Sequence, residues 1–466
     1  MLILRAELAD GLRRDLRIAD GRIDAIAESL APRAGESVID AAGGSLLPGL
    51  HDHHLHLFAL AAAHGSLRCG PPQLRDAAAL SEQLARARAA TPPGTWIRAI
   101  AYHESVAGPL DRTRLDAWLP DRPLRIQHRS GSLWILNSQA LRLVEIERAP
   151  PVGTERDASG APNGRLYRSD DWLRERLGSD ALPSLSTVGR ALARLGVTGV
   201  TDATPSNGAD EGVALGLALE RGELSQRVHL MGAAKLPVPL HPHLTRGPRK
   251  LVLDEARLPD FDALCGEIAE AHAEGRAAAI HCVTRAELVF AASAFRAAGC
   301  QPGDRLEHAA LSDGPCLALL ATLPLTIVTQ PNFIAERGDA YYREVAATEH
   351  PHLYRCRGFD DAGIPLAGGT DAPFGEPDPW AAMRAAVERR TPAGHVLGPR
   401  ETLSPERALS LFTSPAEAPG SAPRTLTVGA PADLCLLDRP WREARHELAG
   451  DAVVATLCGG RLTWRA

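Results

Sequence analysis

Through its first forty-odd residues the chain alternates apolar and polar positions. LILRAEL, DLRIAD, RIDAIAESL and SVIDAAGGSLLPG read as short strands joined by Asp-Gly and Gly-rich turns. The last stretch repeats the pattern in TLTVGAPADLCLLD and AVVATLCGGRLTW. A β-rich start and a β-rich end around a mixed middle predict a small β-sandwich built from residues 1–49 and 418–466, since the termini of a domain commonly lie close together.

The middle switches between two periods. GVTGVTDA, KLVLD, AAAIHC, DRLEHAA, LTIVTQ and IPLAGGTD read as strands. Between them DEGVALGLALERGEL, DFDALCGEIAEAHAEG, RAELVFAASAFRAAG and DGPCLALLATL read as helices, with Phe261, Leu264, Ile268 and Ala271 at helical spacing. Gly275 and Gly299 fall where two of these helices should stop. Repeated β-α units mean a parallel sheet, and their number predicts a (β/α)₈ TIM barrel over residues 50–417. Residues from about 65 to 180 break the rhythm with the Pro-rich turns TPPG, LPDRP and RAPPVG, and are expected to form an inserted subdomain.

Composition removes several alternatives. The net charge is −6, and no basic block or basic-aromatic alternation appears, so nucleic acid and anionic membranes are not expected partners. No apolar run reaches spanning length, and the apolar patch after Met1 is too short for a signal peptide. Eight cysteines without a C-x-x-C read as reduced thiols, hence an expected cytoplasmic location.

The chemistry concentrates at predicted strand ends. PGLHDHHLHLF holds His51, His53, His54 and His56, and residue type alone leaves two His-x-His pairs open. Strand alternation places Asp52, His54 and His56 on one face and His51 and His53 on the other, so that whichever set turns inward, the other turns toward the helices. His281 in AIHC, His308 in RLEHA and Asp371 in GGTDAPF end further predicted strands, and Lys250 falls on strand 4. His281 and His308 lie 27 positions apart, one βα unit, and His308 and Asp371 lie 63 apart, two units. Imidazoles and a carboxylate converging on the C-terminal face of a barrel form a transition-metal site by ligand type.

The pattern Pro48, Gly49, Asp52, His54, His56 resembles the first-strand signature of the amidohydrolase superfamily of metal-dependent hydrolases. DASGAPNGRLYR, LGVTGVTDA, GPRKLVLD, RLEHAAL, VTQPNF and GGTDAPFGEPDPWAAMRAAVERRTP extend the resemblance to its YtcJ-like branch, which includes N-substituted formamide deformylases. The resemblance implies that His54 and His56 hold one metal, His281 and His308 a second, and that Lys250, once carboxylated, bridges two divalent ions, zinc foremost. Asp371 would be both a ligand and the general base and acid as a metal-activated hydroxide attacks an amide or N-substituted formamide C–N bond. A small-molecule substrate and a homodimer are also implied. Two rival readings stay open: a mononuclear cyclic amidase or deaminase, and a catalytically inactive small-molecule-binding barrel. A deaminase would carry a Glu where this chain has Thr284.

The chain departs from the branch at Ser132, where relatives carry a His, with His128 as a candidate substitute. His128, Trp134, Asn137, Gln330 and Asn332 are the candidate substrate contacts.

Overall fold

The computed structural model describes residues 1–71, 73–177, 182–238 and 241–466. They form two compact units, Met1–Leu57 with Ser184–Ala466, and Phe58–Pro183. The expected end of the insert near residue 180 lies outside the described residues.

The first unit contains one eight-stranded parallel sheet. Its strands are β1 (Leu50–Leu55), β2 (Val197–Asp202), β3 (Arg227–Gly232), β4 (Leu244–Val252), β5 (Ala278–Cys282), β6 (Arg305–His308), β7 (Thr326–Thr329) and β8 (Leu366–Gly368), each bonded to the next. The ends of this sheet meet just beyond β1 and β8, where Leu55 bridges Ala372 and the Asp371 N–H donates to His54 O at 2.7 Å. Gly369 makes that seam, because a Cβ there would fall 2.5 Å from the His54 Cβ and 2.7 Å from its backbone nitrogen.

Helices cover the barrel as the period predicts. Phe261–Ala273 buries Leu264, Ile268 and Ala271, although Phe261 itself stays 36% exposed. Arg285–Ala298 opens with a reciprocal cap between Thr284 and Glu287. The strand β3, RVHLMG, has no counterpart among the strands expected from the sequence; it is short, uniformly buried after its first residue, and carries no alternation to mark it.

Two four-stranded sheets flank the termini. One holds Leu2–Glu7, Arg13–Ala19, Arg22–Ala27 and Val38–Asp40; the other joins Leu46–Pro48 to Leu434–Leu437, Val453–Cys458 and Arg461–Arg465. Ile3, Leu16, Ile18 and Ile39 of the first pack with Leu434, Leu436 and Leu457 of the second in one buried cluster.

The second unit is built on a six-stranded mixed sheet. Ile97–Tyr102 runs parallel to Leu67–Arg68 and Leu124–His128, and the remaining pairs are antiparallel. Leu80, Leu84, Leu115, Leu124, Ile126 and Ile135 are among its core residues.

Candidate metal centre

The C-terminal ends of the barrel strands bring the predicted ligands together. His54 Nε2 lies 3.5 Å and His56 Nε2 3.2 Å from Asp371 Oδ1. The His308 ring centroid is 4.8 Å from that of His54 and 4.5 Å from that of His281. Three ligand atoms, one each from His54, His308 and Asp371, lie within 4.8 Å of one another. His308 (φ 70°) and Asp371 (φ 55°) both adopt left-handed backbone, a conformation non-glycine residues hold at a cost and one that clusters at functional sites.

Three of the rings are also oriented from behind. His54 Nδ1 donates to Glu307 Oε2 at 2.5 Å, and His308 Nδ1 donates to Gln330 Oε1 at 2.7 Å. His56 Nδ1 pairs with Thr204 Oγ1 at 2.9 Å. In His54 and His308 the Nδ1 bound as a donor leaves the Nε2 lone pair for a cation.

Burial sets the protonation states. It drives His54 down to about 3, and His281 far below the ordinary imidazole range, so these rings are neutral and able to ligate. Burial alone would raise Asp371, but the hydrogen bond from His56 holds it below the usual carboxylate range. Lys250 is 5% exposed and pushed by burial down to about 8, and its charge bears on His54, His281 and His308. Its Nζ has no hydrogen-bond partner among the described residues.

Glu307 is the residue that the motifs leave unmarked. It is fully buried, clasped by Arg305 and bonded to His54. The structure places it by register: Glu307 pairs with His281, so both share one face of neighbouring strands.

His51 and His53 do not face the helical layer as alternation predicts. His51 Nε2 meets Thr201 Oγ1 of β2 at 2.9 Å, and His53 Nε2 meets the turn residue Ser414 at 3.1 Å. Between Asp52 and Leu55, β1 carries one residue more than β2 does between Val200 and Asp202, and this bulge breaks the alternation. His51 instead lines a hollow of about 470 Å³ with Gly199, Arg227 and His229, near the N-terminal ends of β1 to β3. Asp52 binds the Thr370 N–H at 3.0 Å and its hydroxyl at 2.6 Å, stitching β1 to the segment after β8.

The candidate substrate contacts separate into roles. Gln330 is fully buried behind His308, and Asn332 donates to Thr370 O and Glu336 Oε1, both at 3.0 Å. In the second unit Asn137 is spent on backbone groups of Leu119, Arg122, Leu124 and Ala140. Trp134 is buried in a core cluster with Leu136, Leu141 and Leu166, its indole N–H on Asp170. His128 pairs with Glu104 at 3.0 Å.

Known proteins resemble this chain over most of its length. Residues 37–464 match the model of the amidohydrolase family. An N-substituted formamide deformylase of Arthrobacter pascens is 28% identical over 96% of this chain and 94% of its own. The putative amidohydrolase YtcJ of Bacillus subtilis is 24% identical over 80% and 79%. The crystal structure of an uncharacterized metal-dependent hydrolase from Pyrococcus furiosus superposes with a TM-score of 0.71 at 22% identity, over 94% of this chain and 98% of that one. With the family matched over nearly the whole chain, and a His-His-Asp group at the barrel mouth, this protein belongs to the amidohydrolase family: it is a metal-dependent hydrolase of C–N bonds.

Proposed function

We propose that this amidohydrolase cleaves N-acyl or N-formyl amines, with two divalent cations, zinc foremost, held by His54, His56, His281, His308, Asp371 and a carboxylated Lys250. The observation that carries the reading is the Lys250 amine, buried, unpartnered among the described residues and shifted toward neutrality beside the histidines. A neutral amine adds to CO₂ through a new N–C bond and releases a proton, giving an anionic two-oxygen carbamate. An anion there suits two cations in a buried mouth far better than an ammonium does.

When bound, the cations supply Lewis acidity, polarising the carbonyl and acidifying water. Asp371 does the proton work. Its carboxylate stays ionised at neutral pH, takes a proton from the attacking water, and delivers it to the departing nitrogen. Glu307, Thr204 and Gln330 keep the rings of His54, His56 and His308 turned to the mouth. The named activity of the Arthrobacter pascens relative supports formamides as the first substrates to try. A deaminase-like proton shuttle has no group at Thr284, whose hydroxyl caps a helix.

The test is metal content per chain after expression with zinc and bicarbonate. A loss of at least about one equivalent from wild type to Lys250→Ala is the expected result for a lysine that joins the barrel ligands. Equal metal content in the two proteins would remove Lys250 from the site and favour the mononuclear reading.

A further inference from the structure

The second unit holds another convergence of ligand-type side chains, made of residues that take no part in the barrel centre. Strands Ile97–Tyr102 and Leu124–His128 run parallel, with Tyr102 opposite His128. That register carries His103 and Glu104, which begin the short helix Glu104–Ala107, to the side of His128. The His103 and His128 ring centroids are 6.0 Å apart, and His128 Nε2 lies 3.0 Å from Glu104 Oε2. One ligand atom from each of the three residues lies within 4.8 Å of the others, and all three side chains are partly buried.

A repeated detail makes this more than an ion pair. The two histidines stand in matching His-x-Ser triplets, His103-Glu104-Ser105 and His128-Arg129-Ser130. Each Nδ1 lies 2.8 Å from the Oγ of its serine, Ser105 or Ser130. Each also faces the backbone N–H of that serine, at 3.2 Å and 3.1 Å. A serine hydroxyl both donates and accepts, so it serves either tautomer of the ring. Without a cation, Nδ1 accepts and the Nε2–H of His128 donates to Glu104. With one, the ring proton moves to Nδ1 and donates to the serine Oγ, the backbone N–H of that serine gives up its bond to the ring, and Nε2 presents its lone pair.

We propose that His103, Glu104 and His128 form a further divalent-cation site. Two imidazoles and one carboxylate, with no thiolate, favour zinc, cobalt(II) or nickel(II) over magnesium or calcium. Three protein ligands leave at least one position for water or a small ligand.

The experiment uses the full chain with the barrel ligands removed, His54→Asn, His56→Asn, His281→Asn, His308→Asn and Asp371→Asn together, so that only the second unit is read. Cobalt(II) chloride is titrated in, following visible absorption and equilibrium dialysis. The expected result is about one equivalent bound. Binding should vanish on adding His128→Ala, and weaken at least about tenfold with Glu104→Gln. Equal cobalt uptake with and without His128, or none at all, overturns the site. Should the barrel variant fail to fold, wild type against Glu104→Gln answers the same question. A stoichiometry lower by one, or a clearly weakened class of sites, supports the proposal, and identical isotherms refute it. Neither arm depends on how many cations the barrel binds.

Discussion

Glu307 shows how much of the centre depends on one side chain behind the ligands. It fixes the tautomer and the aim of His54 while Arg305 pins the carboxylate from the other side. Glu307→Gln keeps the shape but removes the charge that favours a donating Nδ1–H. We expect its affinity for metal to fall about 10- to 100-fold with the fold intact, read by competition against a chelator. Unchanged affinity would reduce Glu307 to packing. The convergence of His54, His56, His308 and Asp371 was legible because ligand-type residues ended strands at βα spacing. Glu307 was not legible, because alternation puts it and His308 on opposite faces of β6. The positive φ of His308 departs from regular strand geometry, so alternation is no guide to that ring.

At the scale of elements, the seam between β1 and β8 is held by close backbone approach and by Asp52. Burial raises Asp52 to about 6 despite its bonds to Thr370, a sign of how dry that junction is. Gly369→Ala forces a methyl against His54, where backbone lines the contact and cannot swing away. We expect destabilisation of about 1–3 kcal/mol, with metal affinity falling too; a urea midpoint equal to wild type would contradict it. Helices were the most legible elements, because three and four residue spacings such as Leu264, Ile268 and Ala271 admit one reading. The strand β3 was hidden, being six residues long with a single partly exposed position. The bulge in β1 was equally hidden, since pairing with β2 rather than local sequence creates it.

For the whole molecule, buried neutral histidines set the acid limit. Burial lowers His229 to about 4, and places His51 and His53 well below the ordinary range. The unfolded chain binds these protons near pH 6.5 while the folded chain refuses them, so stability is full above that value and falls as pH drops toward 4. Each such histidine contributes a slope of about 1.4 kcal/mol per pH unit in that window. Chelated protein should therefore show a urea midpoint that falls steadily from pH 7 to pH 5. A flat midpoint would mean the rings are charged in the folded state.

The pairing of Leu46–Pro48 with Leu434–Leu437 has a consequence in time. The second strand leaves the ribosome roughly 390 residues after the first, on the order of 20 to 80 seconds at ordinary elongation rates. For roughly 320 residues of that interval β1 also waits for the segment after β8. The nascent chain thus carries two unfinished edges through most of its own synthesis, and its last strands are what release it. A chain stopped after residue 430 should stay bound to chaperones or aggregate, whereas one extended past Arg465 should not. A soluble, cooperatively melting truncation would show that the barrel closes without its clasp.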